Sequence, residues 1–402
     1  MVLNLILTTL TLLSLALTFW QFLVAMRFPL HRRVRDRSFT PPVTLLKPLK
    51  GADSETYHCL ESWLTQQYAG PVQILFGVAS VDDPAGEIVR QLLAAQPGCD
   101  AQLVICHEPL GANAKVSTLI QLHRRTKYDV LIVSDDDVRV PADFLINVVA
   151  PLRDPAVGLV NCFYRLSNPA TLAMQWEAVA VNADFWSQVL QSQGLKPLDF
   201  ALGAVMATTR ARLDALGAFD ALVDYLADDY QLGHRIARGG GRITLSPVVV
   251  ECRELPKTWG EVWQHQLRWA RTIRTCQPLP YFFSILSNAT LWPLLCWLVG
   301  SPSIIVRLSG YGNGSDGQIP GSISLPDCTW LVAVCLLTRV LTALKLQQKL
   351  TESFAHAPCF WMAPVKDLLH AVIWASAFLG NSVAWRGKRY RVRRDGGLVK
   401  DS

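Results

Sequence analysis

The stretch Tyr128-Asp-Val-Leu-Ile-Val-Ser-Asp-Asp-Asp137 joins a short apolar run to three adjacent carboxylates. Residues 130–133 are rich in β-branched side chains and show no polar alternation, which is typical of a strand buried on both faces of a parallel sheet. The acids would then lie at the carboxyl edge of the sheet, where open α/β proteins bind ligands. Clustered carboxylates repel one another unless a cation lies among them. The stretch therefore predicts a divalent metal that carries a diphosphate or, alternatively, a solvated acidic turn.

Further apolar runs between residues 41 and 252 alternate with amphipathic stretches, which predicts βαβ units and an α/β domain with a mostly parallel sheet and helices on both faces. We expect strands at residues 43–46, 72–78, 103–105 and 130–133. Lys47 and then Asp82 with Asp83 follow the first two strands, so basic and acidic groups should share one rim. Neither a P-loop nor a Gly-x-Gly-x-x-Gly turn occurs, which disfavours nucleotide hydrolysis and dinucleotide chemistry.

The ends of the chain predict a membrane protein. Of the 402 residues 50% are apolar and only 17% are charged. Residues 2–26 form an uncharged stretch long enough to cross a bilayer, at roughly 20 residues per span, and lack the features of a cleaved signal peptide. Five arginines follow between positions 27 and 37. By the positive-inside rule the central domain is then cytoplasmic, and the net charge of +6 favours an anionic membrane surface over nucleic acid.

Three apolar stretches, at residues 281–306, 330–344 and 368–385, close the chain. The first connecting loop, 308–327, has no Lys or Arg and should be non-cytoplasmic, whereas Lys345, Lys349 and Lys366 mark the second as cytoplasmic. If all three stretches crossed, the basic tail 386–402 would lie outside, against the rule. We therefore expect residues 368–385 to be re-entrant or interfacial. The ten scattered cysteines form no Cys-x-x-Cys pair and are expected to be reduced core thiols.

Several short motifs occur in the order seen in family 21 glycosyltransferases, and the chain resembles ceramide glucosyltransferase and bacterial relatives associated with hopanoid synthesis. The resemblance extends from about residue 43 to 269 and resumes at 384–391. It rests on Thr44-Leu-Leu-Lys-Pro-Leu-Lys-Gly51, Asp82-Asp-Pro-Ala85, Gly111-Ala-Asn-Ala-Lys115, Ser134-Asp-Asp-Asp-Val-Arg-Val140, Ala227-Asp-Asp-Tyr230, His265-Gln-Leu-Arg-Trp269 and Ala384-Trp-Arg-Gly-Lys-Arg-Tyr-Arg391.

The resemblance implies a GT-A domain that uses a UDP-sugar and a divalent cation, Mg²⁺ or Mn²⁺. Such a transfer needs a cationic clamp on the leaving diphosphate and a carboxylate base for the acceptor's proton. Asp135, aligned with the second family aspartate, and Asp137 are expected at the metal. Lys115 is expected near the diphosphate, and Asp229 matches the family's catalytic base. Lys47 is expected on the donor side. Asp82 or Asp83 is expected at the uridine or ribose, and the alternative for this pair is a helix cap. Asp228 is expected to cap the helix that follows it.

Residues 259–274 predict an amphipathic interfacial helix. Trp259, Val262, Trp263, Ala270 and Ile273 should share a face toward lipid, and His265 and Arg268 should lie opposite. Arg268 can bind a phosphate, and Trp269 can pack against the acceptor. The family has Gln or Arg where this chain has His265, which leaves the role of that position open. A plain amphipathic anchor is the alternative.

These observations predict a membrane-bound inverting hexosyltransferase that moves glucose or N-acetylglucosamine from a UDP-sugar to a hydroxyl of a membrane lipid, ceramide or a hopanoid. A processive polysaccharide synthase would need a translocating channel, for which apolar segments with almost no charge are poorly suited. A non-catalytic scaffold is disfavoured by the retained site residues. We expect a bacterial inner-membrane protein with five parts: an anchor (1–27), a cytoplasmic catalytic domain (41–255), an interfacial helix (256–279), membrane segments (280–385) and a cytoplasmic tail (386–402).

Overall fold

The computed structural model describes residues 2–300, 329–385, 388–393 and 396–400. The predicted strands are confirmed, with small extensions at their ends. The strands are β1 (Val43–Pro48), β2 (Val72–Val78), β3 (Asp100–Ile105), β4 (Val130–Ser134), β5 (Val138–Arg139), β6 (Val157–Leu166), β7 (Val205–Thr209), β8 (Arg242–Cys252), β9 (Ser382–Trp385), β10 (Lys388–Val392) and β11 (Leu398–Lys400).

The helices surround this sheet and extend away from it. A π-helical turn, Ala180–Phe185, connects the sixth helix to the seventh without a break. In chain order, the helices are α1 (Val2–Arg27), α2 (Thr56–Leu64), α3 (Pro84–Ala95), α4 (Ala114–His123), α5 (Phe144–Val149), α6 (Leu172–Val179), α7 (Trp186–Gln193), α8 (Arg210–Asp214), α9 (Asp228–Arg238), α10 (Trp259–Cys276), α11 (Pro278–Phe283), α12 (Leu291–Gly300), α13 (Thr329–Thr351) and α14 (Met362–Ala377).

Strands β1 to β8 form one sheet in the order β3-β2-β1-β4-β7-β6-β8-β5. β1 pairs in parallel with β2 and β4, and β2 with β3, whereas β7 runs antiparallel to its neighbours. Successive side chains of β1 enter different cores: Leu45 packs with α2, α3 and α5, and Leu46 with α4, α7 and α9. Both faces of the sheet are therefore covered, as the continuous apolar strands predict.

Within the described ranges, two helices, α1 and α13, are long and apolar enough to cross a membrane. The segment Pro278–Ser287 and helix α12 pass the same test together but bend by 53°. Helix α1 buries a stripe of mostly small and polar residues against the rest of the chain, and Gln21 Nε2 donates to Ser187 Oγ of α7 (2.7 Å). The domain that contains the large sheet is thus packed directly onto helix α1 through α7. The predicted loop 308–327 lies outside the described residues.

The apolar stretch 368–385 is not a single segment, which corrects the sequence-based expectation. Helix α14 ends at Ala377, and Ser382–Trp385 forms strand β9. The strand pairs with β10, and β10 pairs with β11. Arg274 of α10 donates to Gly380 O (3.3 Å) and to Asn381, which fixes the turn where the helix stops. The described residues of the predicted basic tail thus contribute strands β10 and β11 to a small sheet whose third strand, β9, precedes the tail.

Candidate active site

Lys115 lies at the centre of the acidic edge of the sheet. Its Nζ is 2.7 Å from Asp135 Oδ1 and 3.2 Å from Asp228 Oδ2. Asn113 caps helix α4 by accepting from Val116 N (3.2 Å), which aims the first turn and Lys115 at the end of β4. The expectation that Asp228 caps helix α9 is wrong: Ala227 occupies the cap position without a side-chain hydrogen bond, and Asp228 pairs with Lys115. The structure thus brings together Lys115 and Asp135, which the sequence placed at the site, and adds Asp228 to them.

Asp229 projects from the first turn of α9 toward the same edge. Its Oδ1 accepts a hydrogen bond from Tyr230 N (2.7 Å), and its Oδ2 lies against Gly203, where a Cβ atom would approach to 2.8 Å. Asp135 N donates to Ala204 O (3.2 Å), so the Gly203 loop joins the two acidic motifs. Burial, and next the charge of Asp228, raise the pKa of Asp229 to about 6, although Lys115 opposes the shift.

Asp137 and Lys47 lie below this edge. Lys47 is fully buried and donates to Ser134 Oγ (3.3 Å) and to the backbone carbonyl of Asp135, so it supports the acidic turn from beneath. Burial lowers its pKa. Burial, followed by the charges of Asp136 and Asp135, raises the pKa of Asp137 well above its usual range. The raised pKa reflects burial and repulsion among neighbouring carboxylates, which a nearby cation would relieve.

The carboxylates at this edge are compatible with a metal ion whose remaining ligands come from the substrate. Among the described residues no group of three or more His, Cys, Asp or Glu side chains is arranged to bind a metal on its own. Mg²⁺ is usually bound through one or two carboxylates together with substrate phosphates. Asp135 and Asp137 supply carboxylates of this kind, and the prediction that they hold the cation remains a prediction.

Asp83 acts as a helix cap. Its Oδ1 accepts from Ala85 N (3.0 Å) at the start of α3 and from Gly51 N (2.9 Å) in the loop after β1. Asp82 is exposed beside it. The capping alternative therefore describes Asp83, whereas a nucleotide contact by either residue stays a prediction.

Helix α10 contains the predicted His-Gln-Leu-Arg-Trp motif. Two residues of this motif belong to a hydrogen-bond network that the sequence did not reveal. His265 Nδ1 is 2.6 Å from Glu177 Oε1, and Gln266 Nε2 donates to the same oxygen (2.8 Å). Burial opposes ionisation of Glu177, but its interactions with His265 and Gln266, together with the charge of Lys257, outweigh burial and lower its pKa. The His265 ring meets the Trp269 ring edge to face at 4.7 Å. Arg268 is half-buried on the same helix.

The apolar face of α10 is largely covered by protein, which corrects the expectation that it faces lipid. Val262 and Ala270 are buried and Trp263 is partly buried against α6 and α14. Trp259 and Ile273 remain exposed, at 47% and 45%. The helix needs its apolar face for this packing because α14 folds back beside it, and a single sequence cannot show whether protein or lipid covers such a face.

Comparison with known proteins identifies the family. The profile of glycosyl transferase family 21 matches residues 6–313 and 317–398. The chain belongs to glycosyl transferase family 21. A solved mannosyltransferase, PcManGT from Pyrobaculum calidifontis in complex with GDP-Man and Mn2+, superposes with a TM-score of 0.52 at 21% identity, over 91% of this chain and 98% of that one. This likeness concerns the fold and confirms the predicted GT-A architecture with apolar helices.

Curated relatives of the family 21 chain match over part of their length. Ceramide glucosyltransferase 3 of Caenorhabditis elegans is 26% identical over 223 residues, 55% of this chain and 48% of that protein. Ceramide glucosyltransferase of Candida albicans is 34% identical over 129 residues, 29% and 24% of the two chains. An N-acetylglucosaminyltransferase of Rhizobium leguminosarum bv. viciae is 24% identical over 251 residues, 58% and 55%. The chain thus spans about half the length of the first relative.

The C-terminal sheet of this family 21 protein covers the two loops that lead into the site. Leu398 N donates to Asp224 O (2.7 Å), and Asp224 Oδ1 accepts from Ala112 N (2.9 Å). The sheet packs Leu398, Val383, Tyr390 and Val392 on Leu226. The loop before Lys115 and the loop before Asp228 and Asp229 are therefore held together beneath the end of the chain. The alternation Arg389-Tyr-Arg-Val392 was the sequence signal for a strand.

A buried charge network joins the apolar helices to the domain. Arg339 of α13 donates to Asp184 Oδ2 (2.7 Å) and to Asp367 Oδ2 (2.8 Å), and Lys366 lies 3.0 Å from Asp367 Oδ1. Lys366 also contacts Asp184 in the π-helical turn. The expectation of almost no charge in these segments is thus wrong, and Arg339 inside an apolar stretch was its signal. The paired charges are compensated, so they fix how the helices dock on the domain.

Proposed function

We propose that this protein transfers a hexose from a UDP-sugar, with inversion, to a hydroxyl of a membrane lipid. The observation that carries the proposal is Asp229, a carboxylate poised beside the Lys115–Asp135 pair at the carboxyl edge of a GT-A sheet. A carboxylate with a pKa of about 6 is largely ionised at neutral pH and is more basic than an ordinary aspartate. Asp229 accepts the proton of the acceptor hydroxyl as that oxygen attacks the sugar.

The donor side of the reaction belongs to Lys115, Asp135 and Asp137. Lys115 holds a positive charge at the edge, where it meets the charge that develops on the leaving diphosphate. Asp135 and Asp137 would hold the divalent cation, which when bound neutralises the same diphosphate. PcManGT was solved with Mn2+, which supports a cation of this class. Asp228 keeps Lys115 near Asp229 through the 3.2 Å contact and so couples the two sides of the site.

Two acceptors and two sugars remain within this proposal. The ceramide glucosyltransferases of Caenorhabditis elegans and Candida albicans support glucose on ceramide. The rhizobial N-acetylglucosaminyltransferase supports N-acetylglucosamine as the alternative sugar, and a polyhydroxylated hopanoid is the alternative acceptor that the sequence motifs suggest. The relatives favour neither pair over the other, since the identities are low and cover only part of each protein.

The docking of the C-terminal sheet supports a topology with the catalytic domain and tail on one side of the membrane. Leu398 and Asp224 share a backbone hydrogen bond, so the two regions cannot lie on opposite sides. The chain must then cross an even number of times between them. Among the described residues, the bent pair Pro278–Gly300 and helix α13 are long and apolar enough for two crossings, whereas α14, with 16 residues, is too short for one. With five arginines after α1, the shared side is the cytoplasm.

Lipid mass spectrometry tests the proposal. Cells that express the chain should contain a glycosylated lipid that is missing both from cells without it and from cells with Asp229→Asn. The added mass identifies hexose or N-acetylhexosamine, and the lipid fragment identifies ceramide or hopanoid. Identical lipids in all three strains would contradict a lipid acceptor. Incorporation into a soluble polymer would favour the processive alternative.

A further inference from the structure

A basic cavity lies where helix α1 enters the catalytic domain, away from the acidic edge. Its walls combine the segment after α1, including Arg32, Arg33 and Arg35, with the domain residues Arg153 and Pro247. The cavity has a volume of about 470 Å³. Ligand pockets typically measure about 300 to 1,000 Å³. The space is therefore large enough for a small charged group.

The cavity lies at the level where the two candidate spans end. The Lys349 ammonium, near the end of α13, donates a hydrogen bond to Met26 O, near the end of α1 (2.6 Å). His31 contacts Lys349 O through its ring (3.0 Å) and donates its backbone N–H to Pro247 O (2.7 Å) in the cavity wall. Both apolar helices thus stop together beside the cavity. A bilayer crossed by these helices would place its phosphate groups next to the cavity.

The positive charge of the cavity is only partly compensated. Arg33 Nε donates to Asp143 Oδ2 (2.8 Å), and Asp36, the one acidic residue among the described residues of the cavity lining, pairs with Arg153. Arg32 and Arg35 are exposed, and in the described part of the chain neither forms an ion pair. Two guanidinium groups without a counter-ion thus line one cavity. Guanidinium matches phosphate oxygens through paired hydrogen bonds, so a phosphate group is the complementary ligand.

We propose that this cavity binds the phosphate of an anionic phospholipid from the leaflet that faces the catalytic domain, with Arg32 and Arg35 as its ligands. Pro29, Val34 and Pro247 give the cavity an apolar wall suited to the glycerol part of the headgroup. The cavity would hold the headgroup of this lipid beside the helix ends, and this lipid would be a different molecule from the acceptor at Asp229. The site does not depend on which sugar or lipid the enzyme uses.

Native mass spectrometry of the full-length protein, released from nanodiscs of equal phosphatidylcholine and phosphatidylglycerol, tests the proposal. The protein should retain phosphatidylglycerol in preference, and the double variant Arg32→Gln, Arg35→Gln should lower this preference about 10-fold or more. The matched control is Arg27→Gln, Arg37→Gln. Both arginines are exposed and outside the cavity lining: Arg27 ends α1, and Arg37 lies in the segment after it, 3.9 Å from Asp143 Oδ2. The control should keep the preference.

Three results would overturn the proposal. Equal loss in both double variants would indicate a diffuse basic surface rather than a site. Displacement of phosphatidylglycerol by excess inorganic phosphate would assign the cavity to a free anion. Absence of any preference in the unchanged protein would remove the site altogether. Since all four substituted arginines are exposed, the variants should fold, and the single variants Arg32→Gln and Arg35→Gln provide the same comparison.

Discussion

The carboxylate of Asp229 lies directly against the α-carbon of Gly203, so that a Cβ atom there would come within 2.8 Å of Asp229 Oδ2. The two residues belong to different motifs, and their contact closes the acidic edge between β4, β7 and α9. Position 203 needs glycine because a carboxylate oxygen of Asp229 occupies the space that a Cβ atom would need.

Gly203→Ala should therefore displace Asp229 without unfolding the protein, because the end of a side chain can move aside. A shift of about 1 Å in a reacting group can lower turnover about 100-fold. We expect a loss of that order in the transfer rate with a thermal midpoint close to that of the unchanged protein. Gly98→Ala, where a Cβ atom meets nothing within 4 Å, is the matched control. Full activity in Gly203→Ala would show that Asp229 does not need its observed position.

The pH dependence should report the ionisation of Asp229. A base must be deprotonated to accept a proton, so kcat/KM should fall as the pH drops through about 6, the pKa that burial and Asp228 give this carboxyl. Removing the negative neighbour by Asp228→Asn should move this acid limb to lower pH, whatever its effect on the maximal rate. Rate profiles of both proteins between acidic and neutral pH provide the measurement. A limb that stays in place would assign the titration to another group.

Asp135→Ala should remove the dependence of UDP affinity on a divalent cation. The loss of a carboxylate leaves the diphosphate and cation with one protein ligand fewer, and it also frees Lys115 from its 2.7 Å partner. Calorimetric titration of UDP with and without Mn²⁺ measures the effect. Asp129→Ala, at the opposite end of the same strand, with a side chain 91% exposed, should behave like the unchanged protein. Transfer that persists undiminished in excess chelator would argue against a metal site.

Leu398→Ala should loosen the C-terminal sheet and lower activity from a distance. Removing a buried leucine side chain typically costs about 2 to 5 kcal/mol, and here the loss falls on the small core that covers the loops before Lys115 and Asp228. We expect faster proteolysis of the tail and slower transfer, with little change in the unfolding of the main domain. Val399→Ala, a neighbouring half-buried position, is the control. Rapid proteolysis with intact activity would show that the sheet does not position the site.

The central sheet could be predicted from the sequence because each strand carries its own signal. The continuous apolar runs at β1, β2 and β4 identified buried parallel strands, and the residues after them identified the functional edge. Asp135, Lys115 and Asp229 were recognised by their motifs, and the structure brings them to one place. These features depend on local pattern and on the rule that carboxyl ends of parallel strands share an edge.

The contacts that could not be predicted join residues far apart in the chain. Glu177 gave no signal of its own, since its partner His265 lies on another helix. Whether the apolar face of α10 meets lipid or protein depends on α14, which packs against it. The tail was predicted only from its basic residues, so its strands were missed, although Tyr390 and Val392 alternate with the charges and enter a core.

The most direct test of the account is Asp229→Asn in the full-length protein, assayed both for transfer to lipid and for UDP binding. The amide keeps the size of the side chain but cannot accept the proton, so transfer should fall about 100-fold or more, whereas UDP affinity should stay within a few-fold. Asp129→Asn is the matched control. Retained transfer in Asp229→Asn would contradict the central claim and move the base to another residue, with Asp228 the first to be examined.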